Sequence, residues 1–162
     1  VVEGSVKREA WSELGVRRLQ FNVPTTHQFK KRRKMTTAKS RRDLRVYQLA
    51  FKSATQIHEI TKKFPAEEKY SLTDQIRRSS RSVCANIAEA WRRRKYPKNF
   101  VSKLTDSDTE ATETIVWLDF ALHFNYLTPA VHKELEDHYD HINSQLTIMM
   151  SDPGKWTPRD KE

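Results

Sequence analysis

The chain has 162 residues, enough for one ordinary domain and short of two comfortable ones. With 31% charged residues, 36% hydrophobic residues and only three glycines, it reads as a soluble, mostly helical protein rather than a turn-rich sandwich or barrel. The formal charge of +9 sits wholly in the first 42 residues, where twelve Lys and Arg meet three Glu, while residues 43–162 hold 18 of each sign.

Residues 1–42 lack a sustained period. The run "THQFKKRRKMTTAKSRR" cannot bury enough apolar surface to order itself, so this segment is expected to be disordered, with a weakly helical "AWSELGVRRLQF" broken by Gly15. Met35 is well placed as a natural start, which would make residues 1–34 an extended or accessory tail. The spacing then predicts a first helix over 43–64, capped by Asp43 and ended by Pro65, with Val46, Tyr47, Ala50, Ala54, Ile57, Thr61 and Phe64 as its stripe. A second helix opens at Ser71, whose spacing to Asp74 resembles a capping box, and buries Leu72, Ile76, Ser80, Val83 and Ile87. The third follows Pro97, with Phe100, Leu104, Ala111, Ile115, Leu118 and Leu122 on one face. Thr128 and Pro129 start a fourth, with Val131, Leu135, His138, Ile142, Leu146 and Met149 inward, and residues 151–162 end the chain as coil. The fold class is all-α: an antiparallel up-down four-helix bundle over 43–150.

The stretch "FPAEEKYSLTDQIRRSSRSVCANIAEAWRRRKYPKNFVSKL", taken with "TETIVWLDFALHFNYL", resembles a four-helix-bundle family first noticed as reading frames in intervening sequences of bacterial 23S ribosomal RNA genes. The likeness covers residues 44–150 and implies a ring-shaped homopentamer. Accessory proteins of diversity-generating retroelements are similar in fold and bind nucleic acid together with a reverse transcriptase, which makes RNA or DNA and a protein such as a reverse transcriptase the implied partners. Ile115 stands where that family commonly has glutamine, and Asn125 where it commonly has glycine.

On a helical wheel of about 100° per residue, Arg77, Arg78, Arg81 and Arg92 fall on the face opposite the second helix's core stripe. Guanidinium groups fork onto phosphate oxygens, so these four, with Arg93, Arg94 and Lys95, are the candidate nucleic-acid-binding residues. The competing readings are pairing with carboxylates of the same or a neighbouring subunit, and plain solvation. Residues 70–103 carry nine basic and two acidic residues, residues 104–162 four and twelve, so the halves are electrostatically complementary.

The third helix has a second apolar face, with Val116, Trp117, Phe120 and Phe124 gathered on the side away from its core stripe. A four-helix bundle has no central helix, so this face is a candidate homo-oligomer interface, unless the N-terminal segment or the C-terminal "KWTP" folds back over it. Glu134, His138 and His141 share a face of the fourth helix, but the spacing is not the Glu-x-x-His of di-iron bundles, and no other helix offers a matching set. There is no glycine-rich phosphate loop, zinc cluster or nucleophile elbow, so no catalytic residue, metal or cofactor is expected. No apolar run approaches the roughly 18 residues of a membrane span, and no signal-peptide pattern is present. Cys84, the single cysteine, reads as a small buried residue of a protein in the reducing cytoplasm.

Overall fold

A computed structural model describes residues 38–158. The basic run to residue 37, Met35 and the expected order or disorder of that segment lie outside the described residues. From Ser40 onward the chain is one compact unit of four helices: α1 (Arg45–Ile60), α2 (Leu72–Arg93), α3 (Pro97–His123) and α4 (Pro129–Ser151). No strand occurs among the described residues. Each helix packs against its neighbours in sequence, and α1 closes the bundle against α4. Bonds from Arg77 to Thr61 and from Arg81 to His58 run α1 antiparallel to α2, and Thr114 meeting Ser79 does the same for α2 and α3.

The start of α1 departs from expectation. Ser40, not Asp43, is the cap: its Oγ accepts the Arg42 amide at 3.2 Å, while Asp43 Oδ2 accepts the Ser40 amide at 2.8 Å. This reciprocal box opens a 3₁₀ turn, Arg41–Asp43, and α1 begins only after Leu44. A second 3₁₀ turn, Thr61–Lys63, tightens its end before Pro65. Ser71 also differs, because its side chain makes no cap. Glu68 instead takes the Ser71 hydroxyl and the Leu72 amide on one carboxylate oxygen, satisfying a first-turn donor from outside the helix. Pro97 and Thr128–Pro129 start α3 and α4 as the spacing predicts, and Thr128 Oγ1 accepts the Val131 amide. The C-terminal stretch is not all coil, since Pro153–Trp156 forms a 3₁₀ turn.

The core follows the stripes of α1 and α2 closely. Val46, Ala50, Ile57, Ile76, Val83 and Ile87 are buried, and each large aliphatic contributes about 1.5–3 kcal/mol of transfer free energy. In α3 the inward face is Phe100, Leu104, Ser107, Ala111, Thr114, Leu118 and Ala121, so Ile115 and Leu122 are only half-buried. Small residues win those places because α2 and α3 lie close together. Ser107 Oγ donates to the Val83 carbonyl at 3.1 Å, and the Thr114 and Ser79 hydroxyls meet at 2.9 Å, all in the dry interior. In α4, Tyr139 takes the fully buried place, and His138 sits half-buried beside it with Nδ1 3.2 Å from Ser53 Oγ.

The end of α3 explains Asn125. Its φ of 61° is left-handed, the Tyr126 amide bonds the Ala121 carbonyl at 2.8 Å, and the Asn125 amide bonds Leu122 at 2.9 Å. This is a Schellman close, whose left-handed position favours glycine and tolerates asparagine better than most side chains.

Candidate nucleic-acid interface and exposed aromatic face

The seven basic candidates on and after α2 fall into different environments. Arg77 is half-buried and turned inward: its Nε donates to Thr61 Oγ1 at 2.7 Å, and its Nη2 points at the His58 carbonyl at 3.5 Å. It ties α2 to the C-terminal carbonyls of α1. Arg78 and Arg81 are exposed and, among the described residues, bond neutral groups, Gln75 Oε1 at 3.1 Å and His58 Nδ1 at 3.2 Å. Burial and the charges of Arg77, Lys62 and Arg81 hold the His58 pKa below its usual value, which keeps Nδ1 free to accept the Arg81 bond. At the helix end Arg92 is exposed, while Arg93 pairs with Glu89 at 3.6 Å. Arg94 stacks over the Trp91 ring at 4.1 Å and donates to the Trp91 carbonyl at 2.6 Å. Lys95 is exposed. None of Arg78, Arg81, Arg92 and Lys95 has a carboxylate partner among the described residues, whereas Lys103 binds both Glu89 and Asp106.

Exposed Ala85 and half-buried Ala88, with exposed Glu89, separate the Arg78–Arg81 pair from Arg92, so the cations of the outer face of α2 lie towards its two ends. Cys84 is half-buried there. Burial pushes its thiol up to about 12, so it is a poor nucleophile at neutral pH.

The second face of α3 is where the sequence places it. Val116, Phe120 and Phe124 are each 45% exposed, and Trp117 is half-buried, its Nε1 donating to Glu113 at 3.0 Å. Trp117, Phe120 and Phe124 stack in succession with centroids about 6 Å apart. With Leu72, Ser71, Gln75 and Glu68 they line an open groove of about 400 Å³. Bonds from Ser71, the Leu72 amide and Tyr126 hold the Glu68 carboxyl below the usual range, so the groove carries a negative charge at its rim. The C-terminal "KWTP" does not cover this patch. Its turn packs at the other end of α3, where Pro153 joins Pro97, Lys98, Val101 and Ser102 around a second open groove.

Glu134, His138 and His141 do not converge, and no group of three His, Cys, Asp or Glu stands together for a metal among the described residues. Among those residues no helix is long and apolar enough to cross a membrane.

No curated protein matches the chain. Among solved structures, a protein of unknown function from the S23 ribosomal protein family of Bacteroides thetaiotaomicron is similar. It is 28% identical with a TM-score of 0.60, covering 65% of this chain and 95% of that one. The profile of the 23S rRNA-intervening sequence proteins matches residues 42–148, all of the bundle but the last residues of α4. The chain belongs to the 23S rRNA-intervening sequence protein family.

Proposed function

We propose that this protein is a non-enzymatic, self-associating helical bundle that binds the backbone of RNA or DNA through the exposed arginines of α2 and scaffolds a nucleoprotein complex in the cytoplasm. The observation that carries the reading is the state of Arg78, Arg81 and Arg92: exposed, on one face, and without a carboxylate partner among the described residues. Always-charged guanidinium groups left to solvent in a row are suited to phosphate, and each phosphate contact releases counterions. The test is fluorescence-anisotropy titration of a labelled RNA with the full chain at several salt concentrations. Replacing Arg78, Arg81 and Arg92 by alanine is expected to flatten the logarithmic salt slope by about two to three. An unchanged slope would assign binding to the N-terminal basic run instead.

A second reading has its own support. The row of Trp117, Phe120 and Phe124 beside an anionic rim suits a neighbouring copy, and the arginines of α2 would then meet the acidic second half of that copy. A ring of five, with or without a further protein such as a reverse transcriptase, is the assembly we propose for both readings. Trp117→Asp is expected to lower the solution mass in light scattering with helical content kept, and an unchanged mass would remove this interface.

A further inference from the structure

The fold gathers charge that no single helix shows. Because α1 runs antiparallel to α2, its opening 3₁₀ turn, Arg41–Asp43, packs against the C-terminal end of α2. Arg41 and Arg42 thus join Arg92, Lys95 and Lys98 at one end of the bundle. Residues 41–45 and 89–98 together hold eight basic residues and two acidic ones. Asp43 bonds Ser40 in the capping box and Glu89 pairs with Arg93 and Lys103, so the end stays strongly basic. The turn is fixed: Gln48 Nε2 donates to the Arg42 carbonyl at 2.7 Å, and Arg41 lies over the Tyr47 ring at 5.6 Å.

Among these charges in the sequence, between Lys95 and Lys98, stands a largely exposed aromatic ring. Tyr96 is 64% exposed, yet its backbone is anchored, its amide bonding Arg93 at 2.8 Å and its carbonyl accepting from Phe100 at 2.9 Å. Its ring appears in no hydrogen bond or stack among the described residues, and the next residue, Pro97, lines an open groove with Lys98 and Pro153. A rigidly held, uncovered ring inside a cationic rim is the arrangement by which proteins take single strands, with phosphates along the cations and a base on the ring. Paired bases in a duplex present no free face to such a ring.

We infer that this bundle end binds single-stranded nucleic acid, with Tyr96 as the base-stacking platform and Arg41, Arg42, Arg92, Lys95 and Lys98 as its phosphate rim. The inference rests on the nucleic-acid reading above and adds its place and strand preference. Tyr96→Ala changes no charge, so the contribution of the N-terminal basic run stays constant when it is compared with the full wild-type chain. In anisotropy titrations, the wild type is expected to bind a labelled oligouridine about tenfold tighter than a duplex of equal length. Tyr96→Ala should lose that advantage while leaving duplex affinity and the salt slope unchanged, and Tyr96→Phe should keep it. As a readout free of any folding effect, bound oligouridine should protect Tyr96 of the wild type from nitration by tetranitromethane. Tyr70, 83% exposed at the opposite end of α2, should remain reactive. Equal single-strand affinity of wild type and Tyr96→Ala, or no selective protection of Tyr96, overturns the inference and leaves backbone binding standing. Absence of any binding to either probe overturns both.

Discussion

Replacing Arg77 by alanine separates an arginine that builds the fold from those left for a partner. Its Nε donates to Thr61 Oγ1 at 2.7 Å, and Thr61 is buried and itself donates to the Ile57 carbonyl at 2.7 Å. A hydrogen bond from a charged donor contributes about 1.5–3 kcal/mol. The 3.5 Å approach to the His58 carbonyl adds little, although the positive charge also faces the C-terminal dipole of α1. Arg77 is half-buried, so a central figure of about 2 kcal/mol is reasonable, equivalent to a fall in Tm of about 6–10 °C for a domain of this size. Urea unfolding followed by circular dichroism should show a lower midpoint for Arg77→Ala at constant m. Arg78→Ala, whose side chain bonds only Gln75 on its own helix, should stay within about 0.5 kcal/mol of wild type. A double-mutant cycle with Thr61→Val should return a coupling of about 1–2 kcal/mol. If Arg77→Ala proves as stable as Arg78→Ala and instead flattens the salt slope of RNA binding, the inward role assigned to Arg77 is wrong.

Three further outcomes follow from the geometry. Asn125→Gly should stabilise the protein by up to about 1 kcal/mol in thermal melts, and Asn125→Val should destabilise it by more, because φ is 61° there. His138 is held down to about 4 by burial, with Lys52 assisting. The unfolded chain therefore takes up a proton near pH 6.5 that the folded one refuses until about 4, so this contribution is fully present above pH 6.5 and lost as pH falls from 6.5 towards 4. Discounted for partial exposure, the loss is about 1–2 kcal/mol, and the stability–pH curve of His138→Gln should be flatter across that window. Leu118→Ala should cost about 2–5 kcal/mol in urea melts, whereas Phe120→Ala, two residues on but facing outward, should cost little stability and lower the solution mass.

The bundle was readable because long helices repeat their apolar residues many times, and proline and threonine mark the starts of α3 and α4 in the chain itself. Hydrophobicity favoured Ile115 and Leu122 as core, but close approach of α2 and α3 gives the interior to Ser107, Thr114 and Ala121, whose size rather than apolarity qualifies them. The Ser40-x-x-Asp43 spacing does spell a capping box, but the apolar stripe starts only at Val46, so periodicity does not point to it. The aromatic face of α3 was legible as a second stripe. The inward turn of Arg77 was not, since a wheel places residues on one helix and says nothing of the carbonyls of the next. The cationic end escaped for the same reason: Arg41 and Arg42 are some fifty residues from Arg92 in sequence and become neighbours only when α1 doubles back.

The buried hydroxyls between α2 and α3 also bear on how the molecule moves. Sliding one helix past the other by a single residue, about 1.5 Å, pulls Ser107 off the Val83 carbonyl and leaves a buried hydroxyl without its cross-helix bond. A slip of a full turn in one direction drives the larger Leu118 to the place where Thr114 meets Ser79. This pair of helices is therefore locked in axial register, and its central amides should be the last to exchange with solvent. The ties that hold α1 and α4 to this hairpin, Arg77 on Thr61 and His132 on Asp119 at 2.7 Å, lie nearer the surface, so rearrangement on meeting a partner is expected to fall to those two helices while the α2–α3 frame keeps its register.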